Sequence, residues 1–348
     1  MSAATDVPAG AAPAAPEAVA GYRRPSWWRR SGEGRTAVFY LLPAFIVMGI
    51  MTFYPLVFQV WMSFTNYGIT NLKVGSAPPD TVGLQNYANI LTSQLQIPNY
   101  EFVRLLLYNF WWALSNTAIH LVLGVAIALL LNVKGLWFKR VYRALFIIPV
   151  VIPPIIVATV WRNMYDVDSG AVNLFLQAVG TIFRIPPEVF RIDWLRQVED
   201  PIAFLPLPLA YFGMLLANTW LGWPLFSVVA TGALQSIPNE LYEAAEMDGA
   251  GPWQKFRNIT IVFLRPAMLP YSIYGFVITF NLFYLAYFMS GGGPFGRTEL
   301  LVTQAYKLVN ERQLFGVGAA FAVIMFFILL ALTLVTNRLA KATASYVE

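Results

Sequence analysis

The chain has 348 residues, of which 58% are hydrophobic and only 12% charged, with a mean hydropathy of +0.59. Soluble domains carry about 25% charged residues, so the composition excludes a water-soluble enzyme and predicts an all-α, polytopic membrane protein. The 23 Lys and Arg exceed the 18 Asp and Glu, but they sort by membrane side, and no nucleic-acid partner is expected.

In chain order, residues 1–36 form a tail that begins with an Ala/Pro-rich stretch too poor in apolar side chains to build a core. The stretch is expected to be disordered. Arg23, Arg24, Arg29, Arg30 and Arg35 follow with Trp27 and Trp28, a basic-aromatic belt that reads as lipid sensing or, more simply, as an interfacial anchor in the bilayer. It is not a cleavable signal peptide, because the short apolar core of one is missing.

Six spans then fit, at Ala37–Phe64, Leu106–Leu131, Leu145–Trp161, Leu205–Leu234, Ala267–Ser290 and Leu314–Thr336. A crossing helix needs about 20 residues, so the longer ones must tilt or overshoot. Residues 37–341 make one transmembrane domain, and 342–348 a short tail. With the N-terminus inside, cytoplasmic segments hold 14 basic residues against 8 outside, leaving Arg162 at a boundary. Positive charge is retained on the cytoplasmic side, so both termini are expected there.

The long external loops 66–105 and 162–204 suggest small helices lying on the outer face. Asp166-Val167-Asp168-Ser169-Gly170 has the look of a calcium loop but lacks a third ligand position and a distal Glu, so it reads as a turn. No metal or other cofactor is expected. Between spans 4 and 5, residues 235–266 are water-compatible. Pro238 suits a first helical turn, Leu241, Ala244 and Ala245 form a small apolar stripe, and Gly249 can take the left-handed conformation that ends a helix. Gly251-Pro252 can start another, with Trp253, Phe256, Thr260 and Phe263 following at helical spacing. Gly291-Gly292-Gly293-Pro294 is a membrane-exit turn.

Glu243-Ala244-Ala245, Gly249 and Ile259, at their spacing, resemble the EAA loop of ABC-importer permeases. In that family the loop is a cytoplasmic coupling helix that docks on the ATP-hydrolysing subunit, which would assign Glu243, Ala244, Ala245, Asp248 and Gly249 to coupling. The family's Ile-x-Leu-Pro ending is Ile259-Thr260-Ile261-Val262 here, which leaves the local kink open, although Pro266 follows. Val82–Tyr87, Asn218–Pro224, Leu241–Pro252, Phe280-Asn281 and Gly292–Pro294 narrow the resemblance to binding-protein-dependent sugar permeases of the maltose type, over about residues 37–341. That group implies a bacterial or archaeal cytoplasmic-membrane location. It also implies a second, homologous permease subunit, an ATP-binding subunit on the cytoplasmic side and an extracytoplasmic solute-binding protein. The longer members' extra N-terminal spans and large external insertion have no counterpart in this sequence.

Within the six boundaries no Asp, Glu, Lys or Arg occurs. Proton-coupled carriers need intramembrane ionisable groups; His120 is the one candidate, and it reads more simply as packed or hydrogen-bonded between helices. A phosphate loop, Gly-x4-Gly-Lys-[Ser/Thr], is also missing. Energy is therefore expected from another subunit, and the chain is not expected to be an enzyme. A secondary carrier, the alternative class, would show inverted repeats or an intramembrane charge.

A sugar site wants neutral hydrogen-bonding groups beside aromatic or aliphatic faces. Asn218 offers two donors and an acceptor, and Gly222, one turn on, lets a ligand approach the backbone. Thr279 and Asn281 lie among Phe276, Phe280 and Phe283. Interhelical packing uses the same residue types, and by spacing alone it is the stronger reading. The resemblance adds that Asn218, Leu221 and Gly222 fall on sugar-contacting positions of the maltose-type group. Val150, Pro154, Ile278 and Leu282 depart from it and Thr279 replaces an Asn, so a neutral di- or oligosaccharide is expected without maltose being singled out. Glycerol phosphate, a polyamine or an amino acid would each call for a countercharge near midplane.

Overall fold

The computed structural model describes residues 27–133 and 135–344. Among them the regular structure is helical, apart from one isolated antiparallel bridge between Thr65 and Thr81. By its contacts the chain divides into two units, residues 1–58 and 59–348.

In the first unit, α1 (Trp27–Met48) passes through a π turn at Gly49–Phe53 into α2 (Tyr54–Met62), whose residues from Gln59 on belong to the second unit. Pro55 has no N–H to continue the regular ladder, and the Tyr54 N–H reaches back to the Gly49 carbonyl instead. The apolar helix Val38–Met62 matches the first predicted span, and among the described residues no part of its most apolar window is buried. The helix starts at Trp27, so Arg29, Arg30 and Arg35 of the expected tail extend it. The Ala/Pro-rich stretch with Arg23 and Arg24, and residues 345–348, lie outside the described residues.

The second unit carries α3 (Gln85–Leu91), α4 (Phe102–Asn132), α5 (Lys139–Val151), α6 (Pro154–Met164), α7 (Ala171–Ile182) and α8 (Leu209–Gln235). After α9 (Asn239–Met247) and α10 (Pro252–Lys255), a π turn leads into α11 (Ile261–Phe280). The chain ends with α12 (Phe283–Leu285), α13 (Leu301–Asn310) and α14 (Phe315–Ala344). The small helices expected in 66–105 and 162–204 are present as α3, α7 and two 3₁₀ turns, whereas α13 was not foreseen.

Among the described residues, five helices are long and apolar enough to cross a membrane, and a sixth span is present there only if α5 and α6 count as one pair bent by 95°. The predicted third span, Leu145–Trp161, is therefore broken. Ile152 and Pro153 each precede a proline, which disfavours the helical region, and both are extended (ψ 127° and 133°). The fifth span breaks elsewhere than its prolines suggest. Pro266 and Pro270 lie inside α11, which stops at Phe280 and is followed by a non-helical Asn281-Leu282 step.

α4 is the axis of this unit, contributing to all three buried clusters. Trp112 meets Tyr211, Met214 and Leu285; Phe102, Leu105 and Ala113 meet Phe280, Leu301 and Phe321; Ala128 meets Phe226, Leu264 and Met268. Lipid is as apolar as leucine, so such helices are held by close packing and interhelical hydrogen bonds rather than by water exclusion.

Candidate functional site

The connection from α8 to α11 is a braced hairpin. Pro238 caps α9 in extended geometry instead of occupying its first turn. At the other end Gly249 has φ +77°, the left-handed value that glycine adopts without penalty. The Ala250 N–H donates to the Ala245 carbonyl at 2.8 Å and the Gly249 N–H to Glu246 at 3.0 Å, the paired closure of a Schellman end. Pro252 opens α10, whose entry is tied by the Gly251 N–H donating to Gln254 Oε1 at 2.8 Å. Tyr242 Oη lies 2.9 Å from Thr260 Oγ1, and Lys255 pairs with Glu246 at 2.6 Å. Those bonds fix α9 against the start of α11. No residue of α9 is buried: Glu243, Ala244, Asp248 and Leu241 are exposed, Ala245 is half-buried, and Met247 and Trp253 are 89% and 68% exposed. Among the described residues, none fully covers the apolar stripe.

In the membrane unit, Asn218 is buried on α8 and its Nδ2 donates to Asn116 Oδ1 on α4 at 2.7 Å. Asn116 in turn donates from its own Nδ2 to the Trp112 carbonyl at 2.7 Å. One turn on, His120 Nε2 lies 2.9 Å from the Asn218 carbonyl oxygen. A Cβ on Gly222 would run into the His120 ring, so glycine there is what lets α4 and α8 approach. The structure thus shows Asn218, Gly222 and His120 in the interhelical arrangement that spacing alone favoured. Leu221 is half-buried against the cluster around Trp112, and Leu282 borders the same cluster.

Thr279 is buried near the end of α11, and Asn281 ends the helix with its side-chain amide donating back to the Val277 carbonyl at 3.2 Å. The Phe280 carbonyl, freed by the break, accepts Asn109 Nδ2 at 3.0 Å, while Asn109 Oδ1 accepts the first N–H of α13, from Leu301, at 2.8 Å. One buried amide on α4 therefore secures one helix end and one helix start, satisfying groups a helix leaves unpaired. Asn109 and Asn116 were missed in the sequence reading. Two amides seven residues apart within an apolar span were the signal that could have found them.

Other expectations resolve locally. Asp166 Oδ1 accepts the Ser169 N–H, the Ser169 hydroxyl and the Asp168 N–H at 2.9, 2.8 and 3.2 Å, which holds its carboxyl below the ordinary value and makes the segment a turn. No cluster of three or more metal-ligating side chains occurs among the described residues. In the Val82–Tyr87 segment, buried Asn86 donates to the Ser63 and Thr65 carbonyls at 2.9 and 2.8 Å, closing the end of α2. After the exit turn, buried Glu299 pairs with Lys307 at 2.6 Å, and Lys307 also donates to the Gly291 carbonyl at 2.7 Å. Burial pushes the Glu299 carboxyl up against the opposing pull of Lys307.

These features define an all-helical, polytopic membrane protein with a polar seam between two of its helices and an exposed helical hairpin. Residues 120–345 match the family described as "Binding-protein-dependent transport system inner membrane component". The chain belongs to that family. It is 30% identical over 312 residues to the galactooligosaccharide transport system permease GanP of Bacillus subtilis (strain 168), covering 86% of this chain and 69% of that one. It is 29% identical over 309 residues to the maltodextrin permease MalC of Streptococcus pneumoniae serotype 4, covering 86% and 67%. With the maltose/maltodextrin permease MalF of Escherichia coli (strain K12) it shares 30% over 285 residues, or 78% of this chain and 51% of that relative, about half its length. The fold is similar to that in a crystal structure of a bacterial ABC transporter that imports the acidic polysaccharide alginate. That match has a TM-score of 0.70 at 18% identity, over 91% of this chain and 98% of the other.

Proposed function

We propose that this chain is one of two permease subunits of an ATP-driven importer for a neutral di- or oligosaccharide. A second, homologous permease forms the other half of the pore, a cytoplasmic ATP-binding subunit supplies the energy, and an extracytoplasmic binding protein delivers the sugar. Three of the relatives carry galactooligosaccharide, maltodextrin and maltose in their names, and the family is defined by dependence on a binding protein. The spans carry amide, hydroxyl and aromatic groups without a fixed charge near midplane, which suits a neutral solute and leaves a charged one without a countercharge.

The observation that carries the coupling role is the hairpin itself: a short helix with no buried residue, braced at both ends. A nine-residue helix is too short to be stable alone, so its rigidity comes from the brace and its apolar stripe is available to a partner. Glu243, Ala244, Ala245, Asp248 and Gly249 are the residues assigned to the ATPase contact. Asn218, Leu221, Gly222, Thr279 and Asn281 are assigned to the solute path; the Asn116–Asn218 bond is then the resting arrangement.

Radiolabelled uptake into vesicles holding the assembled transporter tests this across maltose, trehalose, a β-linked disaccharide, glycerol 3-phosphate and a polyamine. Uptake of a neutral sugar alone, driven by ATP, is the expected outcome. Uptake confined to a charged solute would end the sugar reading while leaving the permease assignment intact.

A further inference from the structure

Past Gly222, α8 presents a polar stripe to α5. Trp223, Ser227, Thr231 and Gln235 follow at intervals of four, which share a helix face, and all four line a cavity of about 530 Å³ between the two helices. That size falls within the range of small-molecule sites. One wall is aromatic: the Phe146 and Trp223 rings meet edge to face with centroids 5.2 Å apart. The Thr231 hydroxyl donates to the Ser227 carbonyl at 2.7 Å, the usual recourse of a hydroxyl within a helix. The Ser227 hydroxyl does not follow suit. Its residue is only 5% exposed, yet no described residue bonds its Oγ. A polar group withdrawn from water without a partner is costly, so the cavity holds a hydroxyl that an occupant would satisfy. Gln235 and Arg143 add an amide and a guanidinium from exposed positions on the same cavity, neither engaged by another described residue. Gly232 also lines it, in ordinary helical backbone, and a Cβ there would meet nothing within 4 Å. Glycine weakens a helix interior relative to alanine, and among the described residues neither packing nor backbone conformation calls for it. Its effect is to keep the cavity wide.

We propose that this cavity is a second sugar subsite, on the hairpin side of Asn218 and Gly222, where a neutral saccharide rests between the solute path and the end of α8. The Phe146–Trp223 pair offers rings to the apolar face of a sugar. The Ser227 hydroxyl can both donate and accept, Thr231 can accept, and Gln235 and Arg143 supply N–H donors to sugar hydroxyls. A phospholipid tail would match the aliphatic part of the wall but leave Ser227 and Gln235 unanswered. A tightly packed partner helix calls for small residues along the contact, whereas Gly232 stands among Trp223, Thr231 and Gln235. The inference rests on the sugar reading above.

The chain has no cysteine, so Gly232→Cys gives it a single thiol inside the cavity. The assembled transporter carrying that change is placed in nanodiscs without binding protein or ATP and treated with a charged methanethiosulfonate. The same complex with the cysteine-free chain supplies the background. The thiol should react, and maltotriose or β-galactotriose at about ten times its half-protecting concentration should slow the reaction roughly tenfold. Protection should persist in Asn218→Ala, which separates this subsite from the Asn218 position. Ser227→Ala should raise the half-protecting concentration by about tenfold, the size of one buried hydrogen bond. As an independent measurement, Gly232→Trp fills the cavity and should remove most sugar uptake at unchanged complex yield. If the wild-type complex takes up sugar, a reaction rate that no sugar changes, or wild-type uptake by Gly232→Trp, would overturn the subsite while the sugar reading stands. A thiol that never reacts would mean that a partner helix covers the cavity. A thiol that reacts in phosphatidylcholine but not in phosphatidylglycerol nanodiscs would mean that an anionic lipid fills it, and either result overturns the proposal. Protection by glycerol 3-phosphate alone, or failure of the wild-type complex to take up either sugar, would overturn the sugar reading and this inference together.

Discussion

Asn218 packs between helices in the structure, and in the proposed function it serves the solute path as well. Its removal deprives Asn116 Oδ1 of its donor, and a buried group left unsatisfied costs about 1–3 kcal/mol. Asn218→Ala is therefore expected to lower sugar uptake by roughly ten- to a hundredfold and also to reduce the melting temperature of the purified complex, which differential scanning fluorimetry would read. Unchanged uptake with lowered stability would restrict Asn218 to packing. The Glu299–Lys307 pair makes a second residue-scale case. Breaking a buried pair by removing one partner typically costs about 3–5 kcal/mol, because the other charge is left uncompensated. Lys307→Met should destabilise the protein accordingly at neutral pH. The folded-state pKa of Glu299 is raised above its ordinary 4.5, so the folded state binds the proton more tightly than the unfolded chain. Stability from this group is present below that value and declines as pH rises through the raised one. Without Lys307 the decline should steepen, and thermal melts of both proteins across acid to neutral pH would show it.

At the scale of elements, the hairpin and the two broken spans matter most. Gly249 has φ +77° and open space where a Cβ would go, so a replacement meets backbone strain rather than collision, about 1–2 kcal/mol. Gly249→Val should loosen the end of α9, and Glu243→Lys should reverse a charge on its exposed face, both leaving membrane insertion intact. Sugar-stimulated ATP hydrolysis by the assembled complex should fall in each, together with uptake. Full hydrolysis and uptake in both variants would refute the coupling assignment. Prolines alone did not predict where helices fail: consecutive Pro153 and Pro154 break the third span, while Pro266 and Pro270 are absorbed within α11. The difference is local, since Ile152 and Pro153 both precede a proline and are excluded from helical geometry together.

For the whole molecule, the Lys and Arg distribution sets the expected orientation. Reporter fusions at Ala3, Lys139, Asp248 and Lys341 should report the cytoplasm, and fusions at Ser76, Glu188 and Arg297 the outside. An external signal at Asp248 would place α9 on the wrong side to meet an ATPase and would remove the coupling reading.

Helical class, membrane character, most span positions and the hairpin with its glycine end were all legible in the sequence. Each rests on information local in the chain: runs of apolar side chains, the sign of flanking charge, and the left-handed backbone that glycine alone adopts freely. What the tertiary structure decided is how distant polar groups meet. Asn109 joins Phe280 to Leu301, and Asn116 meets Asn218, only because α4 packs between α8, α11 and α13. In a medium without water to satisfy them, buried amides must find partners wherever helix packing brings one within reach, and no spacing rule along the chain encodes which partner that will be.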